Sequence, residues 1–272
     1  MRDITIHPIP LFMTYSRQSK AKMTYLSNFG EDLTTCCYVW LIRGYPQNIL
    51  VDGGASPDLA VLRGRSMNDL LGIQSLERGL AKYDLKVEDI DIVVLTHLHW
   101  DHVALAQKFV NAQCIVQKRE LDFARNPDMV TGHLFEKRYF DNLNFQVVEG
   151  DQEILDGLEV LLTPGHSGGG QSVLIKTMNK NAIITGFCCV QDNFIYDKET
   201  GELKLMIIPG IHIDVTHPYQ SLQKIKHLAD IIIPIHEPYY STVPEINSNF
   251  DLKTHLSSQK EYASHVFRGK DR

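Results

Sequence analysis

An apolar run, Ile92-Val93-Val94-Leu95, opens directly onto Thr96-His97-Leu98-His99-Trp100-Asp101-His102. The juxtaposition restricts the fold strongly. A short buried strand has to end where four metal-capable side chains begin, so its end must reach an edge at which side chains can converge. The chain carries only 12 His among 272 residues, so three of them beside an Asp in so short a window form a dense cluster. Neutral imidazoles and a carboxylate are the donors that a borderline divalent metal accepts. A surface cluster with no metal is the competing reading of any short motif.

Further strand-length apolar runs recur between turn signals. Tyr38 to Ile42 and Ile49 to Val51 predict a hairpin across Gly44-Tyr45-Pro46, closed by Asp52-Gly53-Gly54. Helical spacing is expected over Gln74 to Tyr83, Val103 to Val110, Arg119 to Arg125 and Tyr219 to Leu228. Strands are expected at Cys114 to Val116, Phe145 to Val148, Leu158 to Leu162 and Asp230 to Ile235, with a hairpin joining Ser172 to Lys176 and Ala182 to Thr185. Met129 to Leu143 reads as a helical cover over the site or as an ordinary surface helix. Many strands with helices between them argue α/β with two sheets. No linker divides the sequence, so residues 1–272 are expected to form one domain.

Net charge −6 and a pI near 6.0 argue against a nucleic-acid partner. No run approaches the length of a membrane span, and the first residues lack the apolar stretch of a leader. Cys36, Cys37, Cys114, Cys188 and Cys189 make no disulfide framework. The chain therefore reads as a cytoplasmic protein with a small-molecule substrate and no membrane partner.

Two more histidines stand at strand exits. His166 follows Leu162 through Thr163-Pro164-Gly165, and His236 follows Ile231 to Ile235 directly. Together the ligands divide into two sets of three: His97, His99 and His166, and Asp101, His102 and His236. Each set leaves positions open, as a catalytic site requires. A pair of metals there would generate hydroxide at neutral pH and polarise a carbonyl or phosphoryl oxygen.

The His-x-His-x-Asp-His pattern, with the Gly-His loop and the strand-terminal His, resembles the metallo-β-lactamase fold superfamily. Thr163 to Val173 and the Pro209 to Pro238 region look most like its N-acyl homoserine lactonase-like branch. The resemblance implies a four-layer αββα sandwich and a metal-dependent hydrolase in which metal-bound hydroxide attacks a lactone, ester or amide carbonyl. It implies Zn²⁺, two ions or one if the second site is weak, with iron and manganese left open. Asp52 would support the site from behind, Asp101 would orient the hydroxide and shuttle its proton, and a homodimer is compatible with the family.

One step departs from the family pattern. Dinuclear members carry a bridging Asp where this chain reads Gly186-Phe187-Cys188-Cys189. Cys188 could supply a thiolate in its place, Asp192 could reach back, or nothing bridges and the second metal is weak. The Tyr expected soon after is also missing, which leaves His212, Tyr239 and Tyr240 as substitutes for polarising an oxygen. The remaining His7, His133, His217, His227, His255 and His265 read as surface or packing residues. Alternative activities are mononuclear iron redox chemistry of the sulfur dioxygenase kind, hydrolysis of thioesters or phosphodiesters, and a non-enzymatic binding protein.

Overall fold

The structure, a computed structural model, describes residues 3–197 and 199–251. His255 and His265 lie outside them. Seven strands form the first sheet: β1 (Thr5–Ser19), β2 (Asp32–Arg43), β3 (Ile49–Val51), β4 (Leu70–Leu71), β5 (Ile92–Val94), β6 (Gln113–Gln117) and β7 (Phe145–Val148), in the order β4-β1-β2-β3-β5-β6-β7. The second sheet holds β8 (Gln152–Leu155), β9 (Leu158–Leu162), β10 (Gln171–Lys176), β11 (Asn181–Ile184) and, after the hairpin β12 (Phe194–Tyr196) and β13 (Leu203–Met206), β14 (Ile231–Ile233). The helices are α1 (Pro57–Leu62), α2 (Leu76–Ala81), α3 (Trp100–Val103), α4 (Lys118–Arg125) and α5 (Thr216–Leu228).

Alternation along the strands builds the layers. Tyr38, Trp40 and Ile42 of β2 point between the sheets, where they join Val94, Val173, Ile175 and Ile184 in one buried cluster. Val39 and Leu41 point the other way, into a cluster with Leu59 of α1, Leu80 of α2 and Leu121 of α4. On the second sheet Leu174, Ile183 and Ile232 face Leu222 and Ile225 of α5. The result is the expected αββα sandwich, with β3, β5, β6 and β7 parallel and the strands β3 and β14 buried throughout.

Two expectations need correction, and one strand was missed. The helix over 103–110 stops at Val103, and only a short 3₁₀ turn follows at Ala106–Lys108. Its hydrogen bonds go elsewhere. Gly53 and Gly54 donate to the His102 carbonyl at 2.7 and 3.1 Å, and Leu105 donates to the Gly54 carbonyl at 3.1 Å. The segment 129–143 forms 3₁₀ turns at Gly132–Leu134 and Lys137–Tyr139 rather than a helix, because Asp128 captures the amides of Val130 and Thr131 at 2.7 and 2.8 Å. Finally, β1 itself was not anticipated. Pro8 and Pro10 argue against a strand interior, yet β4 pairs β1 only at Met13 and Thr14, so at the prolines β1 is an edge that needs no N–H.

Candidate metal centre

The strand ends deliver the site. His97 to His102 follow β5, His166 follows β9, and His236 follows β14. Their donor atoms gather into two groups, His97, His99 and His166 in one and Asp101, His102 and His236 in the other, each with all donors within 4.8 Å of one another. Both groups border one cavity of about 280 Å³, which His99, Asp101, His102, His166 and His236 line.

Hydrogen bonds behind the rings settle which nitrogen faces the cavity. His102 Nδ1 donates to Asp52 Oδ2 at 2.6 Å, His166 Nδ1 to the Ile211 carbonyl at 2.8 Å, and His236 Nδ1 to the Cys36 carbonyl at 3.1 Å. Thr96 Oγ1 donates to Asp52 Oδ2 at 2.9 Å, so towards His97 Nδ1, at 3.1 Å, it accepts. In each case Nε2 is left with its lone pair towards the site, the tautomer a metal needs.

Burial pulls the His97 and His99 imidazoles well below their ordinary pKa, and the neighbouring histidines reinforce this. Burial also takes His166 down to about 4 and lowers His236. These rings are neutral at pH 7. His102 shifts the other way. Burial lowers it, but the carboxylates of Asp101 and Asp52 outweigh burial and raise it. Asp101 is partly open, with 27% of its side chain exposed. Burial would raise its carboxyl, and the adjacent His102 and His236 reverse this to a net lowering.

The residues fit a metal. His97 Nε2 and His99 Nε2 are buried with no hydrogen-bond partner, a costly state for polar nitrogen that coordination would relieve. His102 Nε2 and His236 Nε2 stand 3.2 Å apart, and Asp101 Oδ2 lies 3.7 and 3.8 Å from them. Donors held about 2.0–2.1 Å from one tetrahedral ion stand roughly 3.4 Å from each other, so the triangle matches.

The supporting groups were only partly foreseen. Asp52, buried and at φ 64°, also accepts the Thr96 amide at 2.7 Å. Glu120 was missed. It is buried on α4, where Oε1 accepts the Leu98 amide and Oε2 the Gly169 amide, both at 2.9 Å. It thereby ties the His97–His99 segment to the His166 loop. Gly169 permits the approach, since a Cβ there would strike the Glu120 main chain. The sequence did hold a signal: Glu120, Leu121 and Ala124 share the buried face of α4, and a carboxylate on such a face needs a reason.

Cys188 lines the cavity but belongs to neither donor group, and its thiol lies 3.1 Å from Met23 Sδ. Burial and the charge of Asp101 push that thiol well above its ordinary pKa. The proposed substitutes for the missing Tyr do not line the cavity. Tyr240 is buried and donates to the Ile232 carbonyl at 3.3 Å, and His212 bonds the Pro209 carbonyl at 2.8 Å. His133, read from sequence as a surface or packing residue, lines the cavity with Leu134, while Phe135 packs edge-on against His99 at 4.6 Å.

The family model of the metallo-beta-lactamase superfamily matches residues 36–186. The chain belongs to this superfamily. Among its relatives, an N-acyl homoserine lactonase from a Bacillus species is 29% identical over 163 residues, which is 56% of this chain but only 62% of that relative. The N-acyl homoserine lactonase AiiA of Bacillus thuringiensis subsp. kurstaki is 26% identical over 213 residues, 75% of this chain and 79% of the relative. A crystal structure of B. thuringiensis AiiA with N-decanoyl-L-homoserine at its active site superposes with a TM-score of 0.69 at 22% identity, covering 89% of this chain and 96% of that one. The superfamily fold is therefore common to both. No helix among the described residues is long and apolar enough to cross a membrane.

Proposed function

We propose that this superfamily member is a metal-dependent hydrolase that opens a lactone or a related carboxylic ester. The observation that carries the reading is the pair of three-donor groups sharing one cavity, with buried imidazole nitrogens that have no other partner. His97, His99 and His166 would hold one ion and Asp101, His102 and His236 the other, a donor set that zinc accepts. When bound, such ions supply Lewis acidity at a carbonyl oxygen and activate water.

The chain's own groups do the rest. Asp52, Thr96 and the Ile211 and Cys36 carbonyls fix the rings before substrate arrives. Among the described residues that line the cavity Asp101 is the one carboxylate, and the adjacent His102 and His236 hold its carboxyl below the ordinary range. Its free oxygen can take a proton from the attacking water and return it to the alkoxide that leaves, which in a lactone stays attached to the product. The lactonase relatives support the choice of a cyclic ester.

Purified protein tests this by elemental analysis together with a proton-release assay on lactones, esters, thioesters and phosphodiesters. The reading expects bound zinc and lactone or ester turnover that chelation abolishes. Undiminished turnover in metal-stripped protein, or metal-replete protein inert towards every lactone and ester, overturns it.

A further inference from the structure

Among the described residues, three cations, Lys22, Arg63 and Arg65, line the same cavity as the donor groups, against one carboxylate, Asp101. Arg63 is committed elsewhere: it pairs with Glu136, donates to the His133 carbonyl at 2.6 Å and lies 5.7 Å over Trp100. The other two are not. Lys22 Nζ has a neutral partner, Gln18 Oε1, at 2.6 Å. Arg65 is half-buried, and no carboxylate among the described residues pairs with it. The two cations feel each other, since burial first and then the charge of Arg65 lower the Lys22 ammonium.

The local fold fixes Arg65 at the lip. Helix α1 ends in a Schellman turn: Gly64, at φ 87°, donates to Val61 at 2.9 Å, and Arg65 donates to Ala60 at 3.0 Å. Only a residue without Cβ takes that conformation freely, so the turn sets the Arg65 backbone independently of any ligand. A half-buried guanidinium without a counterion is poorly solvated and presents a fork that matches carboxylate and phosphate. The cavity, about 280 Å³, sits at the small end of ligand pockets and suits a ring with a short arm.

We propose that Arg65, with Lys22 beside it, forms a subsite for an anionic group on the substrate, so that the molecule hydrolysed is a small lactone or ester bearing a carboxylate or phosphate. The inference rests on the hydrolase reading above and names the substrate class for that site. The anion would sit at the cavity lip while the scissile carbonyl lies against the two donor groups.

The test uses metal-replete protein and three lactones with one ring and one arm, ending in a carboxylate, a phosphate or a neutral carboxamide. The wild type is expected to prefer a charged arm by about tenfold or more in kcat/KM, expressed mainly in KM. The arm with the larger ratio identifies the anion. Arg65→Gln should lower kcat/KM for the charged arms about tenfold more than for the carboxamide. Arg65→Lys should recover part of the difference, and Lys22→Gln should weaken the preference more modestly. If no lactone turns over, calorimetric binding of the same three compounds decides. Tighter binding of a charged arm that Arg65→Gln removes supports the subsite, while the wider lactone and ester panel decides the hydrolase reading. Equal kcat/KM or equal affinity for charged and neutral arms, or an equal loss for all three in Arg65→Gln, overturns the proposal.

Discussion

Glu120 makes no contact with the cavity, yet its removal should open the metal centre. Both of its oxygens accept buried backbone amides, Leu98 between two histidines of the first donor group and Gly169 on the loop after the third. Charge-assisted hydrogen bonds of this kind contribute about 1.5–3 kcal/mol each. Glu120→Ala loses both and leaves two buried N–H groups unpaired, so unfolding free energy should fall by about 3–6 kcal/mol. Burial raises the Glu120 carboxyl, so part of the gain is already offset by desolvation, and the lower half of that range is the sharper expectation. Glu120→Gln keeps one acceptor oxygen and should lose roughly half as much. Urea unfolding of metal-free protein measures this directly. Zinc titration of the same variants should show weaker binding, by about ten- to a hundredfold, as for other groups that orient metal ligands. A Glu120→Ala protein within about 1 kcal/mol of wild type, with unchanged zinc affinity, would refute the bridging role.

Other expectations are simpler. Chelation should lower the melting temperature, because an ion at a hundredfold excess over its Kd adds about 2.7 kcal/mol to the folded state; identical melting curves before and after chelation would count against a metal centre. Asp101→Asn should retain its fold by circular dichroism while turnover falls by about a hundredfold or more, and normal turnover would remove its role in proton transfer. Cys188 lies outside both donor groups, so Cys188→Ala should keep the wild-type number of metals per chain by elemental analysis; loss of one equivalent would make it a ligand. Trp40, fully buried between the sheets against Tyr38 and Tyr240, should cost about 3–5 kcal/mol in urea unfolding when changed to Ala, and a smaller loss would mean that the inter-sheet core repacks.

The candidate donors stood out because they cluster in the loops that leave apolar strands, within seven residues of Leu95, four of Leu162 and one of Ile235, and strand ends in a sandwich share an edge. The six side chains needed no knowledge of packing to be sorted into threes. What escaped depends on contacts distant in sequence. Nothing in Val103 to Val110 announces that Gly53 and Gly54 will take the His102 carbonyl and halt the helix. Pro8 and Pro10 obscured β1 because their tolerance depends on β4 being too short to reach them. Glu120 was visible only as a misplaced charge on a buried helix face, and Arg65 only once Arg63 could be seen to have taken the nearby Glu136.

Each donor group draws two members from the loop after β5 and one from the opposite sheet, His166 after β9 or His236 after β14. Neither sheet alone offers more than a bidentate grip on either ion. Tight capture of an ion there would need the two sheets docked, since a half-folded chain could offer only two of the three donors. If metal loads as proposed, metal content per molecule would count the chains whose two sheets have closed on each other.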